Sequence, residues 1–306
     1  MIRSRFADIC TLLLVTCMVL AAELSGEKEI IFPEITALAV GYMVSEKRSW
    51  MVNSKRMLAL ITICAVLGVL IVRYMGLPVV VEMIIAFAFA QILFIFGGTT
   101  FAPFISAIVL PVMLQTESWV YPVAAFLLTL SVVLFRALLI KLGIRKDEAY
   151  TPVTPDLKPD ITDALIRIAC AAAFIPLAFF TGFKFMAAPP LLVAFTEFSR
   201  PGNKARNVPF KTVAVLTGCA LAGAVSRYIL AIKIGLPLTI AAFVATVLML
   251  VILHMLRMYM PPAGAVTILA MLIPDEAVIL FPLQVFLGSA VLLLFSIVFF
   301  KLRQKA

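Results

Sequence analysis

The stretch MYMPPAGAVTILAMLIP, residues 258–274, sets the problem that this chain poses. It places two adjacent prolines and a glycine in a sequence that is otherwise almost continuous hydrocarbon. Proline inside a helix removes a backbone hydrogen bond and breaks the helix, whereas proline at the first helical positions starts one. The stretch therefore predicts that one apolar helix ends before Pro261 and that a short new helix begins there.

The composition around this stretch predicts an all-α polytopic membrane protein. Of 306 residues, 64% are hydrophobic and only 13% are charged, which a soluble domain cannot accommodate. The net charge is +9, but the lysines and arginines stand in short loops and tails between apolar runs. They indicate orientation in the bilayer, so the lipid bilayer is an expected partner and nucleic acid is not.

Twelve apolar runs follow one another, six on each side of a polar linker. They cover residues 9–22, 30–44, 57–72, 78–96, 101–114, 121–140, 161–180, 187–195, 212–230, 236–256, 263–273 and 277–300. The linker, residues 141–159, is charged and contains prolines, and we expect it not to pack. This division predicts a first membrane repeat over residues 1–142, a cytoplasmic linker over 143–159 and a second repeat over 160–306.

The two halves also match residue by residue, which indicates an internal duplication. A shift of about 160 aligns Pro122, Phe126, Lys141 and Leu142 with Pro282, Phe286, Lys301 and Leu302. With small changes in register, Cys-Ala, Arg-Tyr and Gly-Leu-Pro pairs recur in the same order. The first run has the features of a signal peptide, but its counterpart at residues 160–180 is internal, so we interpret it as a membrane helix.

Charge distribution predicts the orientation. Most cations lie in alternate segments: before the first run, at residues 47–56, in the linker, at 200–211 and in the C-terminal tail. Six crossings or partly re-entrant passes per half then leave both termini in the cytoplasm, with the chain in the cell inner membrane. An even number per half makes the repeats parallel, related by a pseudo-twofold axis along the membrane normal.

Runs two and five of each half are too short to span a bilayer, which requires about 20 residues. Run five begins with a break in both halves, at residues 97–103 and at 261–264. Paired interruptions of this kind are typical of transporter binding sites, because irregular backbone at membrane depth needs protein or a water-filled cavity around it. The alternative is a tight turn at the cytoplasmic surface.

The helix starts at these breaks favour an anion, since free N–H groups and the positive end of the helix dipole would point into each break. Hydroxyl groups near the breaks add donors. The predicted substrate-binding residues at the breaks are Thr99, Thr100, Pro261, Pro262, Ala263, Gly264 and Thr267.

The motif Pro-Pro-Ala-Gly-Ala, with Thr267 and Pro274 after it, resembles the signature of the HPP family of integral membrane proteins. Ser199-Arg200-Pro201 and Arg206-Asn207-Val208 resemble that family's Ser-x-Pro turn and Arg-Asn-Val loop. The resemblance covers residues 189–274, and Met260 stands where the family has its name-giving histidine. It implies an anion carrier, since members with assigned activity are similar to plastid and cyanobacterial nitrite carriers. A weaker similarity, over residues 35–70, is to aromatic-acid exporters of the fusaric-acid-resistance type.

Polar residues near the breaks complete the predicted site. Arg257 either snorkels to the cytoplasm or faces a cavity, and His254 either donates to a carried anion or bonds a neighbouring carbonyl. Arg206 and Asn207 either cap a helix or form a mouth that collects anions. Glu34, Glu82 and Glu197 are solvated at the interface or, where one faces the interior, a candidate proton carrier.

No nucleotide loop, His-x-x-x-His or Gly-x-Ser-x-Gly motif occurs, and the five cysteines show no metal spacing, so we expect no enzyme, no cofactor and no metal site. The cysteines are expected to be small buried hydrophobic residues. The sequence thus predicts a secondary transporter or channel for a small anion, nitrite-like or a small organic acid. The alternative is a membrane scaffold or sensor that acts through its basic loops, and a homo-oligomer is left open for both.

Overall fold

The structure, a computed structural model, describes the backbone of residues 2–301 and the side chains of residues 5–300. This part of the chain is helical and contains no strand. Its α-helices are α1 (Ile2–Ser25), α2 (Glu34–Ala39), α3 (Ser54–Tyr74), α4 (Val79–Phe96), α5 (Phe104–Leu114), α6 (Val120–Lys141), α7 (Leu157–Phe180), α8 (Pro189–Ser199), α9 (Pro209–Ser226), α10 (Leu238–Met255), α11 (Pro261–Leu269), α12 (Asp275–Val278) and α13 (Phe281–Phe295). π-helical turns extend α2 over Val40–Val44, α9 over Arg227–Lys233 and α13 over Ser296–Lys301.

Eight of these helices are long and apolar enough to cross a membrane: α1, α3, α4, α6, α7, α9, α10 and α13. Each carries large apolar side chains on its outer surface, such as Leu13 on α1 and Leu134 on α6, both more than half exposed. Apolar side chains facing outward are costly in water and favourable in lipid. The chain is therefore an all-α membrane protein, as its composition predicts.

The other membrane-depth helices, α2, α5, α8 and α11, are short and central. Each begins at or directly after a proline: Pro33, Pro103, Pro189 or Pro261. Their side chains are almost all buried, on every face. With its π turn, α2 has 11 residues and spans about 16 Å, half of a hydrocarbon core. The prediction that runs two and five are too short to span is confirmed, although α11 ends at Leu269 and not at residue 273.

The short helices contact one another across the middle of the molecule. Helix α2 packs on α11, α5 packs on α8, and α8 also contacts α11. The hydroxyl of Ser106 on α5 donates to the carboxyl of Glu34 on α2, which closes the group. Long helices also pack across the two halves, since α1 packs on α10 and α7 packs on α4. Each half of the chain thus supplies part of the other half's packing.

Two glycines allow a long helix to approach a short helix closely. A Cβ at Gly68 on α3 would lie 2.6 Å from the carbonyl oxygen of Ile108 on α5. A Cβ at Gly223 on α9 would overlap the carbonyl oxygen of Thr267 on α11. Small residues at helix interfaces in membranes let backbones come together in this way. The glycines hold α5 and α11 against α3 and α9.

The loops form two opposite ends of the bundle. At the end that we call the basic face, residues 45–53, 97–103, 145–156 and 199–208 bond to one another. The expectation that the linker does not pack is wrong, because Tyr150 donates to the carbonyl of Gly98 at 2.8 Å and Val153 donates to the same carbonyl at 3.0 Å. We call the other end, with residues 26–33, 115–119, 181–188 and 270–280, the vestibule face.

The cysteines follow the sequence prediction with one exception. Cys10, Cys64, Cys170 and Cys219 are buried, but Cys17 is exposed on the outer surface of α1. A membrane helix is apolar on its lipid face as well as its packed face, so the sequence does not distinguish the two positions.

Candidate functional site

An open cavity of about 390 Å³, which we call the vestibule, lies between the two halves of the chain on the vestibule face. Its walls come from the C-terminal end of α5, the start of α6, the segment after α11 and the segments that precede α2 and α8. Tyr121, Gln115 and Thr116 from the first half of the chain and Leu272 and Pro274 from the second half lie in its wall. The vestibule therefore opens onto the group of short helices from one end.

Two lysines stand in this wall, one from each half of the chain. Lys28 and Lys184 lie in single 3₁₀ turns, and each precedes its proline, Pro33 or Pro189, by five residues. The ammonium of Lys184 also lies 5.3 Å from the centre of the Phe185 ring. Two cations against one carboxylate, Glu29, give the vestibule a positive balance that attracts small anions. The repeated spacing is visible in the sequence.

Below the vestibule lies a buried carboxyl. The ring of Tyr121 packs on Phe32 at 5.8 Å, and its hydroxyl donates to the carbonyl of Ala107 at 3.0 Å. Glu34, two residues after Phe32, is 1% exposed. One of its oxygens accepts from Ser106 and the other has no hydrogen-bond partner within the described residues.

Further toward the basic face, aromatic rings fill the space between the short helices. Phe101 contacts Trp50 at 5.2 Å and Phe104 at 6.3 Å, and Phe94 adds a ring at 6.2 Å from Phe104. We call these four residues the aromatic layer. Trp50, Phe101 and Phe104 are buried and Phe94 is partly buried, so the layer packs the space between the vestibule side and the basic face.

Trp50 joins this layer to both breaks. Its indole N–H donates to the carboxyl of Glu197 on α8 at 2.7 Å. Its ring contacts Phe101 in the first break and lies against Gly41, which in turn lies against Pro261 in the second. Trp50 is only 3% exposed, although it belongs to a loop between two helices. One side chain therefore connects the two breaks and a partly buried carboxyl.

The predicted residues of the first break lie at the basic face. Thr99 donates its hydroxyl to the carbonyl of Met51 at 2.7 Å, and the hydroxyl of Thr100 accepts from the Met51 N–H at 2.8 Å. Both threonines line a cavity of about 250 Å³, together with Arg167, Arg200 and two aspartates. Burial lowers the pKa of Arg200, and the neighbouring Glu197 opposes that shift. The first break is thus both a turn at the surface and the wall of a polar pocket.

The predicted residues of the second break are packed. Pro261, Pro262, Ala263 and Gly264 are all buried, and a Cβ on Gly264 would lie 3.0 Å from the backbone of Thr36 on α2. The prolines have no N–H, and the N–H of Ala263 donates to Met260. The free donors that we expected here are therefore largely absent or used within the turn.

The hydroxyl of Thr267 is also engaged, because it donates to the carbonyl of Ala263 in its own helix at 2.9 Å. Arg206 is buried and donates to the carbonyl of Arg200 at 2.7 Å, so it holds the loop after α8. Asn207 is exposed at the end of a short 3₁₀ turn. The structure does not bring these residues together with Thr99 and Thr100 around one cavity.

His254 and Arg257 lie at the other edge of the basic face. Arg257 is exposed and has a left-handed backbone, with φ 45°. The expected carbonyl partner of His254 is wrong: its ring bonds the carboxylate of Asp8 at 2.8 Å and the hydroxyl of Tyr259 at 2.9 Å. Burial, Asp8 and Glu46 raise the pKa of Tyr259. This cluster ties α1 to the end of α10.

Buried and half-buried arginines hold the C-terminal ends of short helices. Arg136 donates to the carbonyl of Tyr42, and Arg145 donates to those of Met43 and Val44, all within 2.9 Å. Arg227 donates to the carbonyls of Ala270 and Ile273 beyond α11. A helix that ends at membrane depth leaves carbonyls without partners, and cations satisfy them and complement the dipole.

Comparisons with protein-family models, with curated proteins and with solved structures find no match for this chain. The resemblance to the HPP family therefore remains a prediction from short motifs.

Proposed function

We propose that this chain is a secondary transporter of small anions, with a path that runs from the vestibule, between the short helices, to the polar pocket at the basic face. The observation that carries the proposal is the vestibule, where a lysine from each half lies above a closed group of short, proline-initiated helices. Short interrupted helices that meet in the middle of a membrane protein are typical of carriers.

The proposed architecture is two parallel repeats related by a pseudo-twofold axis along the membrane normal. Matching contacts support it, because α3 packs on α5 as α9 packs on α11, and α6 packs on α2 as α13 packs on α8. The glycines at positions 68 and 223 serve equivalent contacts. With basic loops on the cytoplasmic side, the vestibule faces outward and both termini face inward.

Closure by the aromatic layer supports a carrier more than an open channel. A carrier exposes its site to one side at a time, and here the vestibule side is open while Trp50 and Phe101 fill the other. Nitrite leads the candidate substrates through the resemblance to the HPP family, followed by nitrate, formate and small aromatic acids. The competing proposal is a membrane scaffold or sensor that carries no anion and acts through its basic loops.

The test is anion uptake by liposomes that contain the purified protein. Uptake of at least one anion of this group above protein-free liposomes is expected. Replacing both vestibule lysines, K28Q with K184Q, is expected to raise KM by about tenfold at low salt, and the effect shrinks as salt screens the charges. K211Q, an exposed lysine on the basic face, is the matched control and keeps the wild-type KM.

Absence of uptake for every anion, together with a soluble protein that co-purifies through the basic loops, would support the scaffold instead. Uptake with an unchanged KM in the double lysine variant would leave transport standing but remove the vestibule as its entrance.

A further inference from the structure

We propose that Glu34 is the site at which a proton binds and travels with the anion. The inference rests on the proposed function and names its coupling ion. It starts from the hydrogen bonds of the carboxyl: Ser106 donates to one oxygen, and the other, although buried, has no partner within the described residues. An anionic carboxyl buried with a single neutral donor is costly, whereas the protonated form is neutral.

Among the described residues, no cationic side chain lies at Glu34 in place of the proton. Helix α11 and helix α5, which meet α2 here, have no titratable side chain. Helix α6 brings the phenol of Tyr121, and Cys64 on α3 lies near that phenol. On α1, Asp8 bonds His254 and Glu23 bonds the start of α10, so both are engaged elsewhere. Arg136 of α6 bonds the opposite end of α2, at Tyr42.

The position also provides a route for the proton. Tyr121 is part of the vestibule wall, and so is Ile31, which lies three residues before Glu34. The hydroxyl of Thr36, fully buried on the same helix, has no hydrogen-bond partner within the described residues either. The unpaired oxygen of Glu34, just below an open vestibule, is a place that water can reach when the short helices move.

The chemistry is a reversible proton transfer. The free oxygen of Glu34 takes a proton from a hydronium ion in the vestibule: an O–H bond forms at the carboxyl, which becomes neutral, and an O–H bond of the hydronium breaks, which leaves water. With Glu34 neutral, the proton that it holds balances the charge of the anion that moves with it. The proton then leaves to water on the other side. A sodium ion is disfavoured here, because the Glu34 carboxylate and the Ser106 hydroxyl give fewer oxygen ligands than such a cation needs.

The experiment uses the full-length protein in liposomes with an imposed pH gradient and labelled nitrate, which does not cross bilayers as a neutral acid. A pH difference of one unit is worth about 1.4 kcal/mol, so a one-to-one symporter accumulates nitrate about tenfold on the alkaline side. E34Q is expected to lose this accumulation while nitrate exchange stays measurable, which also shows that the variant is folded.

E82Q is the matched control, because Glu82 is equally buried but both its oxygens have donors, Leu77 and Gln115. Its accumulation is expected to persist. S106A removes the donor that favours the charged carboxyl, so the pH midpoint of coupled uptake should move upward. This second variant keeps a carboxyl in place and tests the assignment if E34Q does not fold.

The outcomes separate the two proposals. No movement of nitrate or of any other tested anion in the wild type would remove the transporter itself. Uptake that ignores the pH gradient but follows a sodium gradient, or accumulation that survives in E34Q, would overturn the proton site alone. A midpoint that does not move in S106A would also count against Glu34.

Discussion

Alanine at Gly223 is expected to destabilise the protein by about 1–3 kcal/mol, because an added methyl group overpacks the contact between α9 and α11. Its Cβ would overlap the carbonyl oxygen of Thr267 and lie 2.9 Å from the Cβ of Ala270. Backbone atoms cannot rotate aside as a side chain can, so α11 would have to move as a unit. The measurement is thermal unfolding in detergent, followed with a dye that reacts with newly exposed buried cysteines.

The same helix supplies the control. Gly218 also lies on α9, but a Cβ there has its nearest neighbour at 3.8 Å, an ordinary contact with Ile252. G218A is expected to be neutral or to stabilise the helix by up to about 1 kcal/mol, since alanine is the better helix former. G68A should behave like G223A, because the added methyl group meets Ile108 and Pro111 at the equivalent contact in the first half of the chain. Equal unfolding temperatures for G223A and G218A would contradict the close packing of α11.

The second large effect is expected at Trp50, where W50A should cost about 3–5 kcal/mol. The substitution removes a buried indole from the aromatic layer and leaves Glu197 without its donor. W50F keeps a ring and loses only the N–H, so we expect a smaller cost of about 1–3 kcal/mol. Thermal unfolding measures both, and anion leak through liposomes containing W50A should rise because the layer is open.

Trp119 is the matched control, since the chain has only two tryptophans and this one is 45% exposed at the vestibule face. Its ring meets the guanidinium of Arg73 at 5.5 Å and nothing in the aromatic layer. W119A is expected to cost less than W50F. A leak that is no greater in W50A than in W119A would show that Trp50 does not close the path.

The sequence was sufficient for the class and for the positions of the short helices. Length decided which runs could span, and Pro33, Pro103, Pro189 and Pro261 marked where short helices start. These signals are local, because proline acts on its own backbone. The repeated order of motifs predicted a duplication, but it did not say which helices would touch, such as α2 with α11 and α8 with α5.

The candidate site was harder to predict, because it depends on contacts between distant residues. Glu34 and Ser106 are 72 positions apart, and Trp50 and Glu197 are 147 apart. Helices such as α2 and α11 are buried on every face, so they have no amphipathic stripe from which an inward direction could be inferred. The prediction of free N–H groups at the second break failed for a different reason. The first N–H after the two prolines, that of Ala263, donates to the carbonyl of Met260 in a 3₁₀ turn.

The most direct test of the path is a reversible block of the vestibule. Thr116 lies in the vestibule wall, and T116C would place a thiol there, while E117C would place one on the exposed neighbour outside the wall. A bulky, membrane-impermeant thiol reagent is expected to bring anion uptake by T116C to the level of protein-free liposomes, and a reductant should restore it. E117C, modified to the same extent, should keep its uptake. Undiminished uptake by fully modified T116C would show that anions do not enter between Lys28 and Lys184.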